Sequence, residues 1–128
     1  MKKLFDSQSA GKVELSVREL GRTRRVVLDG KEKWTLGRKT PENSPDIPLR
    51  PDIAGRGHGE FLFMDGLLFY VDRGSVNGTF HNGKKISKGL KGRAAPVLLS
   101  DGDILRIDCE DTDRPDSRNV NITVRIHD

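Results

Sequence analysis

Three separated pieces of this 128-residue chain carry side chains suited to holding a ligand: Gly37-Arg38, Gly55-Arg56-Gly57-His58 and Ser75-Val76-Asn77-Gly78-Thr79. Arginine presents a planar fork of N–H donors that fits an oxyanion through two parallel hydrogen bonds. Asparagine donates and accepts at once, so it can hydrogen-bond nearby backbone or a ligand. Gly55, Gly57 and Gly59 keep a helix from forming and let backbone N–H groups approach a ligand. Each residue also has a plain structural role open to it. Arg38 could pair with Asp46 or Asp52, Arg56 could be solvated, and Asn77 could cap its own turn; His58 reads as structural rather than as a ligand or a base.

Chemistry of other kinds has little to work with. The three histidines and one cysteine form no metal-ligand pattern, no nucleophile, base and orienting group occur together, and no phosphate-cradling loop runs into a helix. The chain is therefore expected to be no enzyme and to need no cofactor. Cys109 ends the apolar run from Ile104 and reads as a small strand residue, and alone it allows no intrachain disulfide. The net charge of +4 is compatible with an acidic or phosphorylated partner, but it is not gathered into a tail, which argues against nucleic acid. Met1 to Ser7 has basic residues without a following apolar stretch, and no run is long enough to span a bilayer, so the expectation is a cytoplasmic protein without membrane insertion.

The elements that must position these pieces are short strands. Val13–Arg18 alternates apolar and polar residues with period two, Gly21-Arg22-Thr23 makes a turn, and Arg25–Leu28 is a second strand closed by the hairpin signal Asp29-Gly30. Lys33–Leu36 is a third strand ending at Gly37-Arg38. The proline-rich stretch from Lys39 to Pro51 is a long loop with a short strand at Ile47–Leu49, and loops of that length are often functional. Glu60–Met64 and Leu67–Val71 flank Asp65-Gly66 as a hairpin and hold most of the aromatic residues, so they should form the centre of the core. Asn82-Gly83 marks another tight turn, Lys84–Arg93 a basic surface loop, and Val97–Leu99, Ile104–Cys109 and Val120–Ile126 the closing strands. The predicted fold class is all-β: an antiparallel β-sandwich of about ten to eleven short strands with no significant helix, residues 12–128 forming one domain behind a frayed tail of residues 1–11.

In order and spacing, and followed by Leu99-Ser100-Asp101-Gly102-Asp103-Ile104, the three pieces resemble the forkhead-associated (FHA) domain from about Trp34 to Ile107. The resemblance implies an eleven-stranded sandwich that binds phosphothreonine peptides through loops at one end. It implies Arg38 as the phosphate-binding arginine, Arg56 as a second phosphate contact, and Asn77 as the group that hydrogen-bonds the peptide backbone. Gly55, Ser75 and Val76 complete the phosphopeptide-binding set it implies, Ser75 at a turn position, while His58 falls on a histidine that braces the loops and Gly37 and Gly78 on structural positions. The chain departs from the family at Gly55, where a phosphate-contacting serine is usual. A hydrogen bond to a charged group is worth about 1.5–3 kcal/mol, so its loss would weaken binding roughly ten- to a hundredfold. The function implied is a phosphothreonine-peptide module in a serine/threonine-kinase pathway with a weakened or altered phosphate site. The alternative is a docking module of the same fold that no longer depends on phosphate. Arg50 and Arg73, on neighbouring loops, are either solvated charges or readers of an acidic side chain after the phosphothreonine. The compact single domain is compatible with a bacterial, monomeric protein.

Overall fold

The computed structural model describes residues 12–50, 54–75, 78–86, 95–108 and 119–127. The tail expected at residues 1–11, the Val76-Asn77 pair and Cys109 lie outside them.

Among the described residues eleven strands follow one another: β1 (Lys12–Glu19), β2 (Arg22–Leu28), β3 (Lys33–Arg38), β4 (Ile47–Leu49), β5 (Gly59–Met64), β6 (Leu67–Asp72), β7 (Phe80–His81), β8 (Lys84–Lys85), β9 (Val97–Leu98), β10 (Ile104–Ile107) and β11 (Val120–His127). They form a six-stranded sheet, β2-β1-β11-β10-β7-β8, and a five-stranded sheet, β4-β3-β5-β6-β9. Period-two patterning builds the core between them. Val13, Leu15 and Val17 of β1 and Val120, Ile122 and Val124 of β11 bury one face, and Trp34, Leu36, Phe61, Leu68 and Tyr70 meet them from the other layer. Burying these side chains is the main source of stability, at about 25 cal/mol per Å² of apolar surface. Phe61 and Tyr70, cross-strand partners on β5 and β6, pack edge to face at 5.1 Å, so the aromatic hairpin does supply a large share of that core.

The turn sequences act locally as expected in two hairpins. Asp65 and Gly66 both take positive φ (53° and 77°) between β5 and β6, as do Asn82 and Gly83 (50° and 87°) between β7 and β8. The first turn sits one residue earlier than its sequence signal, at Leu20-Gly21, because Arg22 already pairs with Glu19. Asp29-Gly30 closes no hairpin. β2 pairs with β1 and β3 with β5, so this turn carries the chain from one sheet to the other. A turn motif sets a local reversal, not the partner of the strand that leaves it. β4 runs parallel to β3, the one parallel pairing among the described strands, reached through the proline-rich loop.

This topology puts the three pieces at one end. β3 and β6 each run antiparallel to β5, so the exits of β3 and β6 and the entry to β5 coincide, with Leu36 and Asp72 both opposite Gly59.

Candidate functional site

Backbone contacts lock Arg38 to the Gly55-Arg56 loop. The Arg38 N–H donates to the Gly55 carbonyl at 2.8 Å. A Cβ on Gly37 would stand 1.9 Å from the Arg56 carbonyl oxygen, so only glycine lets the loop lie this close to β3. The Asn43 amide then donates to both the Arg38 carbonyl (3.0 Å) and the Arg56 carbonyl (2.9 Å), clamping the two arginine backbones with one side chain. Asp46, the partner considered for Arg38 from sequence, accepts from Lys31 at 2.7 Å and from Thr35. Arg38 is half-buried and Arg56 exposed.

His58 joins that loop to the turn after β6. It is fully buried. Its Nδ1 accepts from the Gly55 N–H at 3.0 Å, which leaves the proton on Nε2. Nε2 then donates toward the Gly78 carbonyl (3.2 Å) and Thr79 Oγ1 (3.0 Å). The Thr79 hydroxyl donates a hydrogen bond to Asp72 Oδ2 at 2.7 Å, and the buried Tyr70 hydroxyl lies 3.2 Å from the same oxygen of Thr79. Asp72, also buried, accepts in addition from the Ser75 hydroxyl (2.7 Å) and from the N–H groups of Gly74 and Ser75 (both 2.9 Å). Four donors thus converge on one carboxylate and shape the turn that leads into Val76-Asn77. Ser75 itself is buried, its hydroxyl proton committed to Asp72.

Electrostatics follow from this burial. Desolvation holds the His58 pKa below the usual 6.5, against the pull of Asp72. Burial alone would raise Asp72, but hydrogen bonds from Thr79 and Ser75, with His58 beside it, outweigh that and bring it below the usual 3.8. For both groups the unfolded chain binds a proton more readily than the folded one, so both contributions are present at neutral pH and lost on acidification. Stability to urea should therefore begin to fall as pH drops through about 6.5 and fall further below about 4. A flat profile between pH 7 and 5 would show that His58 is not held neutral.

The structure thus brings together Gly37, Arg38, Gly55, Arg56, His58, Ser75 and Gly78; Val76 and Asn77 lie outside the described residues. Sequence reasoning gave no role in the site to Asp72, Tyr70 or Asn43, and none to Thr79 beyond its place at the end of the third piece. Thr79 ends the third piece and Asp72 lies three residues before it starts, but nothing in their spacing shows that they hydrogen-bond to each other beside a buried histidine. Arg73 pairs with Glu60 at 2.5 Å and Lys33 stands 3.4 Å from the same carboxylate, so Arg73 is spent on β5. Among the described residues no three His, Cys, Asp or Glu side chains are placed to hold a metal ion, and no helix is long and apolar enough to cross a membrane.

Three solved structures show how close the fold lies to known ones. Full-length yeast Pml1p matches with a TM-score of 0.71 at 19% identity, over 96% of this chain and 87% of that one. A chain solved in a structural and functional study of phosphothreonine-dependent FHA domain interactions matches at 0.65 and 22%, over 91% and 98%. The FhaA FHA domain, complexed with the intracellular domain of Rv3910, matches at 0.62 and 22%, over 88% and 99%. No curated protein sequence matches the chain. The sequence profile of the FHA domain matches residues 34–108, which span β3 to β10 and all three pieces of the site, and the chain belongs to the FHA domain family.

Proposed function

We propose that this end of the sandwich binds a phosphothreonine peptide of a partner protein, with Arg38 and Arg56 on the phosphate and Asn77 on the peptide backbone. The observation that carries the reading is the clamp of Asn43 and Gly37, which holds two arginine backbones side by side at a loop-built end. A phosphothreonine brings about −1.5 to −2 charge and three acceptor oxygens, which two guanidinium forks can match. Similar structures support it: one comes from work on phosphothreonine-dependent interactions, another holds a partner's intracellular domain. Ser75, His58, Gly37 and Gly78 serve the site by holding its loops. The reading makes the protein a monomeric, cytoplasmic interaction module downstream of a serine/threonine kinase, not an enzyme, with neither nucleic acid nor membrane as its partner. Gly55 favours a second reading, a docking surface that ignores phosphate.

A degenerate phosphothreonine peptide library, run against its unphosphorylated and phosphoserine counterparts, separates the two. Selective enrichment of phosphothreonine is the expected result, and equal retention of all three libraries would sink the phosphate-dependent reading.

Restoring the hydroxyl tests the weakness of the site. A Cβ on Gly55 would meet His58 Nδ1, Cα and Cβ at 3.6, 3.8 and 3.9 Å, which is ordinary contact, so a serine fits without displacing the loop. Gly55→Ser should tighten phosphothreonine binding about ten- to a hundredfold, measured by titration calorimetry. An unchanged affinity would mean that the backbone N–H groups already do the hydroxyl's work.

A further inference from the structure

On the open side of the sandwich, the edge strands β2 and β4 face one another across a cleft of about 520 Å³ that includes Glu19, Arg22, Arg24, Lys39, Pro48 and Arg50 in its walls. Arg22 and Arg24 stand opposite Glu19 and Val17 in the β1–β2 register, so they share the inward face of that sheet and lean toward β4. The Arg24 guanidinium donates to the Pro48 carbonyl and ties the two edges together. The Arg50 N–H reaches Glu19 Oε2 at 3.3 Å. The side chains of Arg22, Lys39 and Arg50 are exposed and form no ion pair among the described residues, while Glu19 is only 7% exposed. Among the described residues, four cations thus face one carboxylate. Such crowding of like charge costs stability unless a ligand of opposite sign relieves it. Lys39 follows Arg38 directly, and its N–H donates to the Leu49 carbonyl at 2.9 Å, so the cleft begins where the candidate phosphate site ends.

We propose that this cleft takes an acidic, extended segment rich in Asp and Glu that flanks the phosphothreonine in the same partner. The pairing of the two ligands rests on the reading given above for the Arg38 end; the acidity of the segment rests on the cleft alone. A short pocket between two strand edges suits a few extended residues, whereas nucleic acid calls for a longer stripe of positive charge. Among the described residues the cleft takes from the β4–β5 loop its first residue, Arg50, and none from the β6–β7 connection, so it adds reach along the partner rather than a further phosphate contact.

Fluorescence anisotropy with the full chain tests this with four labelled probes: a phosphothreonine peptide with neutral flanks, the same peptide with a four-residue Glu/Asp run, the acidic peptide without phosphate, and a single-stranded oligonucleotide. The acidic run should tighten binding about five- to thirtyfold at low salt, as three exposed ion pairs would, and the gain should fade at high salt. The double variant Arg22→Gln/Arg50→Gln should lose the gain yet keep its preference for phosphothreonine over threonine. Equal affinity with and without the run, or a gain that survives in the double variant, would overturn the proposal. An oligonucleotide bound more tightly than the acidic peptide, and released by the double variant, would assign the cleft to nucleic acid instead. If phosphothreonine is preferred in no probe, the proposed function fails by itself, and loss of the unphosphorylated acidic peptide in the double variant still decides the cleft.

Discussion

Arg38→Ala should lower the affinity for a phosphothreonine peptide by about a hundredfold to ten-thousandfold, measured by titration against the same peptide. The figure follows from two charge-assisted hydrogen bonds to the phosphate at about 1.5–3 kcal/mol each, with roughly 1.4 kcal/mol to each factor of ten. The fold should survive the change. The backbone ties of Arg38, the N–H given to Gly55 and the carbonyl held by Asn43, both remain with alanine. Arg38→Lys should fall between the two, because it keeps the charge and loses the fork. A loss smaller than about threefold for Arg38→Ala, with the thermal midpoint unchanged, would show that this arginine does not read the phosphate. Treating the partner with a phosphatase should have the same effect as the alanine substitution; if it has none, the docking surface ignores phosphate.

The second large effect is on stability. His58→Ala should cost about 3–5 kcal/mol and lower the thermal midpoint by roughly 10–20 °C. The ring is fully buried, so its removal opens a cavity and strips the Gly55 N–H and the Gly78 carbonyl of their partner together. The Thr79 and Asp72 contacts would shift with it, and peptide affinity should drop as both loops lose their brace. Asp72→Asn should be comparably damaging, since an amide would set donors against the donors of Ser75 and Thr79. Because His58 and Asp72 act through shared Thr79, the double variant should cost clearly less than the two single losses added. A His58→Ala cost below about 1 kcal/mol, or strict additivity with Asp72→Asn, would mean that the two loops are held independently.

Much of this protein is determined by its sequence alone. Alternation in Val13–Arg18 and Val120–Ile126 requires half-buried strands, since period two sends every other side chain to one face. Asp65-Gly66 and Asn82-Gly83 require hairpin turns, since both positions must take positive φ. The order Gly37-Arg38, Gly55-Arg56-Gly57-His58 and Ser75 to Thr79 leads to the family, because those residue types at those spacings rarely coincide. Tertiary structure decided the rest. Asp29-Gly30 reads as a hairpin, yet it crosses between sheets, because strand partners are chosen by which faces can be buried together and not by the turn between them. Asn43 looks like ordinary loop polarity and becomes a clamp on two arginine backbones only when β4 folds alongside β3. The run from Gly55 through His58 and Thr79 to Asp72 and Ser75 likewise joins residues up to 21 positions apart. Such contacts leave no periodic trace, since each depends on an atom's distance across the fold and not on the type of residue beside it in the chain.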